Sequence, residues 1–121
     1  MSEPYSQDLP AWPPAPDTLR ERIARRDECR CVYCGEIFRC EELTLDHVEP
    51  RMRGGDQSEG NLVAACRGCN TEKGSTPAWA YLADRPDRRE NFLRYATHVW
   101  PRLRRAVEEA AERNRGPRRS G

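Results

Sequence analysis

The sequence predicts a small α+β fold, two short strands and flanking helices around a core stapled by cysteines, and three observations predict it. Cys31-x-x-Cys34 and Cys66-x-x-Cys69 form two pairs separated by 31 residues. The segment Leu43-Thr44-Leu45-Asp46-His47-Val48 alternates in hydrophobicity like a strand, and Leu62 to Ala65 is a second short apolar run. Phe92, Ala96, Val99, Leu103, Val107 and Ala110 recur with a period near 3.6, the stripe of an amphipathic helix.

The elements follow in order. Five of the ten prolines fall at positions 4, 10, 13, 14 and 16, so residues 1–16 read as a disordered proline-rich arm, and residues 115–121 read as a disordered tail. Between them, 17–84 is expected to form the core with a leading helix, and 85–114 a basic helical extension. Asp17 is placed to cap a helix over 18–28, with Leu19 and Ile23 four residues apart on one face. A knuckle at Cys31 to Cys34 is closed by Gly35. The first strand stops at Pro50, and Gly54-Gly55 supplies positive φ angles in the loop that follows. The second strand leads to the second knuckle and a helix opening at about Asn70. Thr76 and Pro77 read as an N-cap and first helical residue, and Asp87 as the cap of a further helix. Pro101 interrupts the apolar stripe, which predicts two helices or one sharp kink.

Within 29–75 the larger apolar residues are few and scattered, and all six cysteines of the chain lie there. A segment this poor in core formers needs a disulfide or a metal to fold. The first residues lack the basic and apolar regions of a signal peptide, and no stretch is long and apolar enough for a membrane span. This points to no membrane association and to a reducing, cytoplasmic setting, where paired cysteines bind metal more often than each other. Two such pairs complete a tetrahedral site of four sulfurs, the closed shell of structural zinc. Cys31, Cys34, Cys66 and Cys69 are therefore the expected ligands. Cys29 and Cys40 fall outside the pairs and read as ordinary small apolar residues, with Cys29 also an alternative to Cys31 as ligand.

The net charge of +1 hides an asymmetry. Residues 1–84 carry ten basic against fifteen acidic residues, whereas 85–121 carry eleven against five. The C-terminal third is thus a candidate phosphate-facing element, with Arg85, Arg88, Arg89, Arg94, Arg102, Arg104 and Arg105 as a clamp; a solvated helix face is the alternative.

Between the knuckles stand Asp46-His47, Gly54-Gly55, Asn61 and Asn70 with eight residues between them, and Lys73-Gly74. Together with the cysteine pairs, this pattern resembles the HNH nuclease motif in its zinc-knuckle form, with asparagine in place of the last histidine. The same elements recur together in HNH domains, including those of RNA-guided DNA-cutting effectors. The resemblance covers about residues 29–75 and implies a treble-clef-like ββα-metal core. It implies that Asp46 and Asn70 hold one catalytic divalent ion, Mg²⁺ or Mn²⁺, that His47 is the general base, that Asn61 pins the loop and orients the base, and that Lys73 reaches a substrate phosphate.

The chemistry needs these residue types. Phosphodiester hydrolysis requires a deprotonated water opposite the leaving oxygen and positive charge beside the phosphate. A histidine titrates near neutral pH and can accept the water's proton, and a hard cation held by oxygen ligands stabilises the phosphate. The chain has only two histidines and one lysine against twenty arginines, and His47 and Lys73 both fall on motif positions. His98 falls in the helical pattern and reads as structural. A metal-dependent endonuclease acting on DNA is the reading favoured by the resemblance. The alternatives are a ribonuclease and a non-catalytic zinc-stabilised module that binds nucleic acid. A single site cuts one strand, so double-strand cleavage calls for a homodimer or two encounters, and sequence specificity for a partner, since no reader domain flanks the motif. Small HNH proteins of this kind occur in restriction systems and beside phage packaging genes.

Overall fold

The computed structural model describes residues 18–115. The proline-rich arm, Asp17 and most of the expected tail lie outside the described residues.

The leading helix, α1 (Leu19–Arg26), is capped by Thr18, whose Oγ1 accepts from the Glu21 amide at 3.0 Å. It anchors the sheet through its C-terminal residues. The buried Asp27 carboxylate accepts from the Ala64 amide at 2.9 Å, and Arg26 donates to the Leu62 carbonyl at 2.6 Å and to Asp27 itself at 2.9 Å. The chain then turns through Glu28 and Cys29, both at positive φ, into the first knuckle.

Strands β1 (Thr44–His47) and β2 (Leu62–Ala65) pair antiparallel, with Thr44 opposite Ala65 and His47 opposite Leu62. Every residue of β2 is buried because α1 covers it and the Val32 amide donates to its Ala64 carbonyl at 3.1 Å. Helix α2 (Arg67–Lys73) opens three residues before the expected Asn70. Its cap is the Cys66 sulfur, which accepts from the Cys69 amide at 3.4 Å, so the knuckle itself starts the helix. A cysteine cap escapes a rule that looks for Ser, Thr, Asp or Asn.

Helix α3 (Ala78–Leu82) has Pro77 at its cap position, not Thr76, and is held by the Ala78 amide donating to the Val48 carbonyl at 2.9 Å. Helix α4 (Pro86–Tyr95) starts with Pro86 at its first position, so Asp87 lies in the first turn instead of capping it. Helix α5 (Pro101–Arg115) is separate, as the interruption at Pro101 predicts. Phe92, Ala96, Val99, Leu103, Val107 and Ala110 are all buried. The first five belong to the same apolar core as Val32, Tyr33, Leu43, Leu62 and Leu82, so the basic extension packs into the core. The Trp100 amide donates to the Gly60 carbonyl at 3.0 Å, which fastens the start of α5 to the loop between the strands.

Candidate metal centre and active site

The two knuckles meet. The sulfurs of Cys31, Cys34, Cys66 and Cys69 all lie within 4.8 Å of one another, and the Cys34 and Cys66 sulfurs are 4.0 Å apart. A zinc ion with four sulfurs at about 2.3 Å requires sulfur–sulfur edges of about 3.8 Å, so the cluster fits such an ion. Amides of the turns point at two of the sulfurs, Cys34 at Cys31 and Cys69 at Cys66. The electrostatics fit as well. A hydrogen bond from Cys69 brings the Cys31 thiol down to about 5, whereas burial pushes Cys34 up to about 11 and the bond to Cys31 pushes Cys69 well above the usual thiol range. Without a cation, four crowded sulfurs cannot all ionise; a bound cation removes that conflict. Arg88 of α4 lies beside Cys69, which holds its guanidinium above the usual range.

Cys29 and Cys40 do not remain separate small apolar residues. They are bonded to each other, which removes Cys29 as an alternative to Cys31 and ties the entry of the first knuckle to the approach to β1.

Asp46 and His47 end β1 next to α2 and open on a cleft of about 260 Å³ that Asn70 and Lys73 also line. Asp46 is buried: its Oδ2 accepts from the Tyr33 hydroxyl at 2.6 Å, and its Oδ1 lies 3.1 Å from Lys73 Nζ. Burial pushes its carboxyl above the usual range, while Lys73 and Tyr33 pull the other way. His47 is half-buried, with Nε2 2.6 Å from Gln57 Oε1. Asn70 donates from Nδ2 to Thr44 Oγ1 at 2.7 Å and to the Leu45 carbonyl at 3.2 Å, so its amide oxygen is the atom that could hold a cation. Carboxylate and amide oxygens lining one cleft suit a hard divalent cation.

Asn61 is fully buried and ties the loop together. Its Oδ1 accepts from the Glu49 amide at 2.8 Å, and its Nδ2 donates to the carbonyls of Glu49 at 3.0 Å and Asp56 at 2.9 Å. The glycine pair divides its work differently from the expectation. Gly54 alone has the left-handed φ of +97°, whereas a Cβ on Gly55 would fall 1.7 Å from the Glu49 carbonyl oxygen, so close approach is what Gly55 supplies.

Lys73 is the clearest departure. It lies one turn beyond Asn70 as the spacing requires, but its side chain is buried and donates to Asp46 and to the His47 carbonyl at 3.0 Å. The outward reach to a phosphate gives way to an inward ion pair, because α2 packs against β1 and Asp46 needs a counter-charge. The C-terminal arginines divide in the same way. Arg104 donates to the carbonyls of Ala96 and Leu93, each at 2.7 Å, and Arg89 to those of Leu82 and Ala83. Arg85 donates to the Tyr81 carbonyl. These arginines cap helices. Arg102 and Arg105 are exposed, with Arg102 3.3 Å from Glu49 Oε1.

Sequence reasoning missed Tyr33, Gln57 and the turn Arg51-Met52-Arg53. Tyr33 was legible only as a core residue inside a knuckle. The turn is exposed along its length, with Met52 at 90%, and both Arg51 and Met52 line the cleft. Its two arginines, close in sequence to His47, were a signal available before the fold was known.

Residues 31–76 match the family described as HNH endonuclease. Curated relatives are CRISPR-associated endonucleases Cas9. That of Corynebacterium diphtheriae is 38% identical over 71 residues, and that of Actinomyces naeslundii 42% over 67. These alignments cover 56% and 53% of this chain and 6% of each relative. The crystal structure of the Type II-C Cas9 enzyme from Actinomyces naeslundii superposes with a TM-score of 0.54 at 28% identity, over 83% of this chain and 11% of that one. Among the described residues no helix is long and apolar enough to cross a membrane.

Proposed function

We propose that the chain is a metal-dependent endonuclease that hydrolyses a phosphodiester bond of one DNA strand. The observation that carries this reading is the convergence of Asp46, His47 and Asn70 on one open cleft, with the four-sulfur cluster set apart from it. Asp46 and Asn70 would hold one Mg²⁺ or Mn²⁺ ion, whose charge favours attack at the phosphate and departure of the 3′ oxygen. The cluster would hold zinc and take no part in the chemistry.

The chain's own groups do the rest. With Nε2–H donating to Gln57 Oε1, the imidazole lone pair stands on Nδ1 and takes the proton of the attacking water. The new P–O bond forms as the P–O3′ bond breaks, the departing O3′ takes a proton from solvent, and the proton held on His47 returns to solvent. Asn61 keeps the loop from Glu49 to Asp56 closed beside the histidine. Arg51 and Arg53, with Arg102 and Arg105, would contact backbone phosphates; such contacts position a duplex without reading it, so specificity falls to a partner. The relatives lend a homodimer no support.

The test is cleavage of supercoiled plasmid with Mg²⁺ or Mn²⁺. His47→Ala is expected to lose about 10²–10⁴-fold in rate while retaining zinc and DNA binding. Robust cleavage by purified His47→Ala protein would exclude the mechanism. Zinc retention and DNA binding with no cleavage by the wild type would favour the non-catalytic module.

A further inference from the structure

The cysteine pairs connect directly to the cleft. Tyr33 stands between Cys31 and Cys34 in the first knuckle, and Lys73 ends the helix that the second knuckle starts. Both reach the same carboxylate from opposite ends of the cluster. The Tyr33 hydroxyl donates to Asp46 Oδ2 at 2.6 Å, and Lys73 Nζ donates to Oδ1 at 3.1 Å. Tyr33, Asp46 and Lys73 are all buried, at 0%, 4% and 2% exposure. A carboxylate held at one oxygen by a hydroxyl and at the other by an ammonium cannot rotate without losing a bond. Each oxygen keeps a further lone pair for an ion in the cleft. The Tyr33 ring is fixed independently, stacked on Phe92 at 5.8 Å between centroids and edge-on to Tyr81 at 5.5 Å.

We propose that Tyr33 is a positioning residue for the divalent ion: its hydroxyl orients Asp46, so the knuckle that binds zinc also sets the geometry of the cleft. The inference rests on Asp46 being a metal ligand, as in the proposed function. Groups that orient a metal ligand in this way are worth about 10–100-fold in affinity.

The experiment uses the full chain with zinc bound. Mn²⁺ binding is measured directly by electron paramagnetic resonance of the free ion, and cleavage is followed as a function of Mn²⁺ concentration. Tyr33→Phe is expected to keep one zinc per chain but to weaken Mn²⁺ binding about tenfold or more. Its cleavage rate should approach that of the wild type at saturating Mn²⁺, so the effect lies in the metal dependence. Phe92→Leu loosens the same ring stack without removing the hydroxyl and should lower the melting temperature while weakening Mn²⁺ binding less than Tyr33→Phe does. Wild-type Mn²⁺ affinity in Tyr33→Phe, or equal weakening in both variants, would overturn the proposal. Should Tyr33→Phe fail to fold, difluorotyrosine at position 33 keeps the ring and the hydroxyl and alters only donor strength. A shift in Mn²⁺ affinity of about twofold or more then supports the role, and no shift overturns it. A wild-type chain that binds no Mn²⁺ would overturn the reading of Asp46 itself, and that result is visible before any substitution is made.

Discussion

The sulfur cluster and the cleft are neighbours made from the same pieces of chain, and they differ in nearly every physical respect. The cluster gathers four thiols from two turns, close enough together to enclose a metal ion. The cleft draws a carboxylate, an imidazole and an amide from a strand end and a helix, and stays open. A closed shell of soft ligands stabilises a fold, whereas an incomplete shell of hard ligands leaves room for a phosphate. The contrast shows how a chain with a sparse core can hold an open, partly charged site: a separate crosslink supports it. Asp46 makes the dependence concrete. A buried carboxylate is tolerable here because Tyr33 and Lys73, both delivered by the knuckles, compensate it.

The largest effect expected from breaking this division is at the cluster. Structural zinc contributes roughly 10–16 kcal/mol in finger peptides, so Cys34→Ala or Cys66→Ala should lose the metal and unfold the segment around it. Metal analysis with circular dichroism checks this, and a folded, zinc-free Cys34→Ala chain would contradict it. Cys40→Ala should lose only the bond to Cys29, a smaller cost that vanishes under reducing conditions.

The cleft comes next. Asn70→Ala should leave zinc and fold in place and lower cleavage in a way that added Mn²⁺ partly restores. Asp46→Ala is a less clean probe, since it strands the buried Lys73 ammonium at a cost of about 3–5 kcal/mol. A melting temperature that falls for Asp46→Ala but not for Asn70→Ala would separate the two roles of the site.

Acid should act on the cluster before the rest of the fold. Cys31 is held at about 5, below the ordinary thiol value of about 8.5. A group whose pKa is depressed on folding contributes its full stability above the ordinary value and loses it as pH falls through the folded one. Acidification is therefore expected to release zinc and lower the melting temperature, as protons compete for the four sulfurs, measured by a zinc indicator alongside thermal melts.

The smallest effect concerns the basic third of the chain. Neutralising Arg102 and Arg105 should lower the slope of log K against log[salt] on duplex DNA by about 0.9 for every phosphate that the variant no longer neutralises, with turnover at saturating DNA little changed. Arg104→Ala should instead lower stability, since it removes the cap on the Leu93 and Ala96 carbonyls. An unchanged salt slope in the Arg102 and Arg105 variant would remove α5 from the DNA-facing surface.

Features whose signal is local could be read from the order of residues alone. The pairing of the cysteine knuckles, the strand read in residues 43–48, the apolar stripe from Phe92 to Ala110 and its break at Pro101 depend on residues a few positions apart, and the structure shows each of them, although within β1 it is Asp46 and not Leu45 that is buried. Asp46, His47 and Asn70 also meet on one cleft, because the end of β1 and the helix after the second knuckle carry them there. The direction and partner of long side chains, by contrast, were settled only by packing. An arginine or lysine reaches several ångströms, and whether it meets solvent, a helix end or a carboxylate depends on what lies beside it. Lys73 thus turned inward to Asp46, Arg104 and Arg89 turned to helix carbonyls, and Cys29 found Cys40 across eleven residues. None of those pairings leaves a trace in local spacing, since each depends on which elements pack side by side.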